Sequence, residues 1–140
     1  IGKIRIPLTI LHKQGKLTDK EWEIDKLHPI HCAKILEPLS KNYPEVQRIV
    51  RNEHERWDGN GYPDGLAGND IPLGSRLIMI ADTYDAICSE RPYRKALPSE
   101  AALEIIQKGA GTQFDPNLVL IFESTYKEFP CATTTNSLPQ

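Results

Sequence analysis

No apolar run in this sequence exceeds five residues, the length of Leu77–Ala81. A membrane-spanning helix needs about 20, so no membrane contact is expected from this segment. Charge of one dominant sign is also missing: 17 Lys and Arg stand against 19 Asp and Glu, a formal net charge of -2. Attraction to nucleic acid or to an anionic surface then lacks its electrostatic driving force, and neither DNA nor RNA is expected as a partner. Cysteine is scarce and odd in number. Cys32, Cys88 and Cys131 lie far apart in apolar segments, a pattern of buried thiols in a reducing compartment rather than of a disulfide framework. No signal-peptide stretch opens the chain, and a cytoplasmic location is expected. Strand patterning and internal repeats are absent. The only methionine is Met79 and the first residue is Ile1, so the chain is expected to be an internal piece of something longer.

What is present suits an all-α fold. With 140 residues, 39% of them hydrophobic, the chain can bury a core without metal or disulfide staples. Thr18 followed by Glu21 is a capping-box pattern that predicts a helix from about Asp19 to Leu27, burying Trp22 and Ile24 or Leu27. His28-Pro29 breaks it, and a second helix starts at Pro29 with the stripe Cys32, Ile35, Leu36 and Leu39. Pro44 opens a third, whose apolar spacing through Val46, Ile49 and Val50 runs into Glu53 or His54. Asp58 to Pro72 holds four glycines and two prolines in fifteen residues, which forbids regular structure and predicts a long functional loop pinned by Tyr62, Leu66 and Ile71. Leu73 to about Cys88 is the most hydrophobic helix, with Leu77, Ile80, Ala81 and Tyr84 on one stripe. Helices follow from Ser99 to Gly109 and from Pro116 to about Phe129. The domain is expected to span residues 1–130, with a flexible tail over 131–140.

Four polar positions have the residue types of hard or borderline metal ligands: His28, the pair Glu53 and His54, and Asp82. Asp82 ends an apolar run, where a carboxylate is costly unless it is paired or binds a cation. A surface position, or a salt bridge to Arg76 or Lys95, accounts for it equally well. His28 has a helix-end interaction as its alternative, and Glu53 and His54 have a solvated helix end, because Glu55, Arg56 and Asp58 follow directly. Arg91-Pro92-Tyr93-Arg94-Lys95 suits a phosphate or a purine edge, or simply complements a helix C-terminus. His12 and His31 are expected at the surface.

These residues resemble the HD-GYP domains, a branch of the HD metal-dependent phosphohydrolases. Ile1-Gly2-Lys3-Ile4 is similar to the continuation of the family's His-Asp-x-Gly-Lys motif, and His28-Pro29 to its second histidine segment. Glu53-His54-Glu55-Arg56-Trp57-Asp58-Gly59-Asn60-Gly61-Tyr62-Pro63 resembles the signature that names the group. Ala81-Asp82-Thr83-Tyr84-Asp85-Ala86 with Arg91-Pro92-Tyr93-Arg94 resembles the metal-ligand aspartate and the nucleotide-binding segment, and Gly111 to Pro116 the late structural motif. The resemblance implies a helical HD-like bundle without its first helices, carrying the Gly-Tyr-Pro loop. It implies hydrolysis of the bacterial second messenger cyclic di-GMP with two or three divalent ions, Fe or Mn, as in two-component response regulators. Residue by residue, it implies metal ligands at His28, Glu53, His54 and Asp82. Lys3 would touch the scissile phosphate as the catalytic contact, and Lys3, Tyr62, Asp85, Arg91 and Arg94 would bind substrate. It also implies docking of GGDEF-domain proteins on the loop.

Two departures shape the expectation. The His-Asp pair that would precede Ile1 is absent, so the chain alone is expected to lack part of its site and to turn over little substrate. Glu53 stands where the signature has a histidine. The alternative is therefore a non-catalytic module that binds nucleotide or a GGDEF partner. Apolar surface left without its upstream cover is expected to make a homodimer.

Overall fold

The computed structural model describes residues 1–90 and 95–128. It is helical, with α1 (Leu8–Leu11), α2 (Asp19–Asp25), α3 (His28–Leu36), α4 (Pro44–Arg51), α5 (Leu73–Cys88), α6 (Ser99–Lys108) and α7 (Pro116–Thr125). Short 3-10 turns occupy Gly2–Arg5, Glu37–Leu39, Gly68–Asp70 and Tyr126–Glu128. No strand occurs among the described residues beyond an isolated bridge between Ala110 and Phe114. Among the described residues no helix is long and apolar enough to cross a membrane. The chain divides into two compact units, Ile1–Arg76 and a second beginning at Leu77.

In the first unit the helix starts follow from local chemistry. The Thr18 hydroxyl accepts from the Glu21 amide, and the Glu21 carboxylate accepts from the Thr18 amide at 2.7 Å, which closes the capping box ahead of α2. Pro29 and Pro44 sit in the first turns of α3 and α4, where their missing N–H is no loss. α3 packs on α4 and on the Gly2–Arg5 turn. That turn comes so close that a Cβ on Gly2 would stand 1.9 Å from the His28 carbonyl oxygen and 2.8 Å from the Cys32 nitrogen. Only glycine fits there. At the start of α5, the fully buried Ser75 donates its hydroxyl proton to the Ile49 carbonyl at 2.7 Å, tying α5 to α4.

The second unit is built on Ile80, Ile87 and Cys88 of α5, Ala102 and Ile106 of α6, Phe114 and Val119. Tyr84 sets its ring edge against Phe122 at 5.2 Å. Asp115 caps α7 by accepting from the Asn117 amide at 2.9 Å, with Pro116 in the first turn.

Several expectations are corrected. α2 does not bury its apolar residues: Trp22 is 44% exposed, Ile24 38% and Leu27 42%. The seven-residue helix is held by its capping box and by the Lys13–Glu21 and Lys26–Glu23 ion pairs instead. On α5, Ile80 is buried, but Leu77 one turn earlier is 50% exposed. α7 ends at Thr125 and passes into the Tyr126–Glu128 turn. Cys32 is free and buried as expected, whereas Cys88 is disulfide-bonded. An apolar setting accommodates a thiol and a disulfide alike, so setting alone could not separate them. The tail over 131–140 and the expected helix end at Phe129 lie outside the described residues.

Candidate metal centre

His28 opens α3 and is only 6% exposed. Its Nδ1 lies 2.6 Å from the Asp25 carbonyl oxygen. A carbonyl only accepts, so Nδ1 carries the proton, and in the neutral ring the lone pair is on Nε2. This is the arrangement in which a histidine is oriented for a cation by a second hydrogen-bond partner.

α4 ends at Arg51 and the chain passes through the buried Asn52 to Glu53 and His54. Packing of α4 on α3 brings the His54 Nε2 to 2.9 Å from the His28 Nε2, with the rings 4.8 Å apart at 73°. The Glu53 Oε1 is 3.9 Å from each of these nitrogens. One donor atom from each of the three residues falls within 4.8 Å of the others. Two imidazoles and a carboxylate converging in this way are a donor set for a borderline divalent ion such as Fe, Mn or Zn. The Glu53 and His54 side chains, at what could be a solvated helix end, are 24% and 28% exposed.

Tyr62 adjoins the centre through His54. Its ring stacks on His54 at 5.1 Å and 24°, and meets Trp22 edge-on at 6.0 Å and 78°. Burial, reinforced by the negative charges of Asp25 and Glu53, pushes its hydroxyl up to about 12, so it keeps its proton at any physiological pH.

Glu55 organises the loop, and sequence reasoning missed it. The residue is 2% exposed, and its carboxylate accepts from three successive backbone amides, those of Asp64 at 2.6 Å, Gly65 at 3.1 Å and Leu66 at 3.0 Å. In sequence it sits among Glu53, His54, Arg56 and Asp58 and reads as one more solvated charge. Nothing local marks it as the anchor of a segment nine residues downstream. Asp64 is held in turn by Arg51 at 2.7 and 2.8 Å and by Asn52 at 2.9 Å, and Arg51 keeps its carboxyl below the ordinary range. A Cβ on Gly61 would lie 2.4 Å from the Arg56 nitrogen, so the loop passes Glu55 only because that position has no side chain.

Lys3 is exposed on the Gly2–Arg5 turn. Asp82 and Asp85 are exposed on α5 in the second unit. Asp85 accepts from the Ser89 hydroxyl one turn on, at 3.3 Å. Arg76, weighed as an ion-pair partner for Asp82, donates to the Asn69 Oδ1 at 3.0 Å and lies 5.7 Å over the Trp57 ring. Arg91 and Arg94 lie outside the described residues.

Residues 1–118 match the family described as HD domain. The chain is 42% identical over 120 residues to the cyclic di-GMP phosphodiesterase response regulator RpfG of Xanthomonas campestris, covering 85% of this chain and 32% of that protein. It is 41% identical over 131 residues to a cyclic di-GMP phosphodiesterase of Thermotoga maritima, covering 91% of this chain and 35% of that protein. It is 38% identical over 130 residues to the 3'3'-cGAMP-specific phosphodiesterase 2 of Vibrio cholerae, covering 92% and 25%. The chain thus spans between a quarter and about a third of these relatives. Among solved structures, a cyclic GMP-AMP specific phosphodiesterase of Vibrio cholerae shares the fold, with a TM-score of 0.55 at 19% identity over 92% of this chain and 33% of that one.

Proposed function

The chain belongs to the HD-domain family, with the loop sequence of the HD-GYP branch, and on that basis we propose that it serves metal-dependent hydrolysis of cyclic di-GMP. The observation that carries this reading is the convergence of His28, Glu53 and His54 on one point. The chemistry of the trio fits a resident divalent ion: the Asp25 carbonyl fixes the His28 tautomer with Nε2 turned to the centre, and Glu53 adds a hard anionic oxygen. Fe or Mn suits this mixed set. Bound ions would supply Lewis acidity toward water and toward the phosphodiester.

The chain's own residues do the rest of the work in this reading. Tyr62 holds the His54 ring in place by stacking. Lys3, exposed beside α3, is assigned to the scissile phosphate, and Asp85, Arg91 and Arg94, with Tyr62, to substrate. Two or three ions need more donors than the trio provides, and Asp82 is kept as a further ligand on its sequence motif. Docking of GGDEF-domain proteins on the loop is kept from the resemblance of its sequence motif. A cytoplasmic location and a homodimer complete the proposal. The second reading, a binding module without turnover, draws on Glu53 standing in place of a histidine.

Elemental analysis of protein grown with Fe or Mn, together with chromatography of cyclic di-GMP products, tests the proposal. Bound metal with only slight cleavage, in keeping with a site that lacks its His-Asp pair, is expected, and both are lost in His54→Ala. Metal and activity appearing only in Glu53→His would select the binding-module reading, and their absence from both forms would overturn the hydrolase.

A further inference from the structure

Beside the metal centre, α2 presents two side chains that its own stability does not use. Trp22 is 44% exposed and touches Tyr62 edge-on. Asp25, three residues on and hence on the same helical face, is half-buried, and its carboxylate makes no hydrogen bond or ion pair among the described residues. Both adjoin the trio. Trp22 leads through Tyr62 to His54, and the Asp25 backbone carbonyl holds His28.

We propose that Trp22 and Asp25 form a guanine-selective subsite, Trp22 as the stacking platform and Asp25 as the acceptor for the Watson–Crick edge. The inference rests on the cyclic dinucleotide hydrolase reading above and adds to it the element that sets base preference. An exposed indole offers a large, rigid apolar face on which any purine can stack, without discrimination between them. Discrimination comes from the carboxylate. Guanine presents two donors on its Watson–Crick edge, N1–H and the N2 amino group, which a carboxylate accepts side by side. Adenine presents its N1 lone pair at the same place, against a negative charge. Relatives named for cyclic di-GMP and for 3'3'-cGAMP both occur around this chain, so a residue that reads guanine against adenine bears on which of the two it takes.

The test is calorimetric titration of the full chain with GMP and with AMP, backed by quenching of tryptophan fluorescence. Wild type is expected to bind GMP about ten-fold tighter than AMP or better, because a carboxylate facing the wrong purine edge is left unpaired. Asp25→Leu should collapse that ratio to within about three-fold, with AMP binding retained through stacking. Trp22→Leu should weaken both nucleotides by about ten-fold, and Trp22→Phe should restore most of the loss, which separates stacking from a folding defect. Equal binding of GMP and AMP by wild type, or GMP binding unchanged in Trp22→Leu, overturns the subsite. The hydrolase reading is scored separately by metal content and cleavage of cyclic di-GMP. Cleavage without guanine preference overturns the subsite alone, whereas an Asp25-dependent guanine preference in a chain that takes no metal supports the subsite and overturns the hydrolase.

Discussion

The Nε2 atoms of His28 and His54 face each other at 2.9 Å across 26 residues of sequence. The His28 Nδ1–H is committed to the Asp25 carbonyl, so the neutral His28 ring presents its lone pair and His54 donates across the gap. A cation held by the two Nε2 atoms and Glu53 would take the place of that shared proton.

The first prediction concerns that exchange. Fe or Mn at about a hundred times its dissociation constant should stabilise the folded chain by about 2.7 kcal/mol. His54→Gln should abolish the metal-dependent rise in melting temperature while leaving the metal-free transition nearly in place, because the His54 side chain is partly solvated. Differential scanning calorimetry with and without chelator reads both.

Glu55→Gln should loosen the loop. The glutamine amide brings an N–H group against backbone N–H donors where the carboxylate accepted three, and leaving a buried donor unsatisfied costs about 1–3 kcal/mol. Hydrogen exchange should quicken at Asp64, Gly65 and Leu66, while α6 and α7 keep their protection. Unchanged exchange at these three amides would show that Glu55 does not anchor the loop.

Gly2→Ala should destabilise the first unit by about 1–3 kcal/mol, the usual cost of forcing a methyl into a filled site. The new Cβ would fall on the His28 carbonyl, 1.9 Å away, so the start of α3 must shift. Weaker metal binding in this variant, despite intact ligands, is the expected signature, read by metal titration and urea unfolding.

Alkaline pH should destabilise the fold through Tyr62. Its hydroxyl is raised from the ordinary 10 to about 12 in the folded chain. A group raised in this way contributes stability that is complete below pH 10 and is lost as the pH climbs through about 12, because the unfolded chain releases its proton first. Tyr62→Phe should flatten that part of the stability profile. Phenolate absorbance against pH locates the titration directly.

The sequence by itself determined the helical class, the capping box at Thr18 and Glu21, the proline-led starts of α3 and α4, and the stretch where regular structure stops. These are local properties, set by side chains within one turn of each other. It also contained a signature motif specific enough to name a family. Tertiary structure alone decided the rest, because it depends on packing over long separations. The approach of α4 to α3 turned His28, Glu53 and His54 into one cluster, a distance no spacing encodes. The burial of Glu55 under three loop amides reversed its reading from solvated charge to anchor. Trp22 went the other way, from expected core to an exposed ring beside Tyr62, because an apolar pattern names the side of a helix that can be covered and only the fold says whether anything covers it.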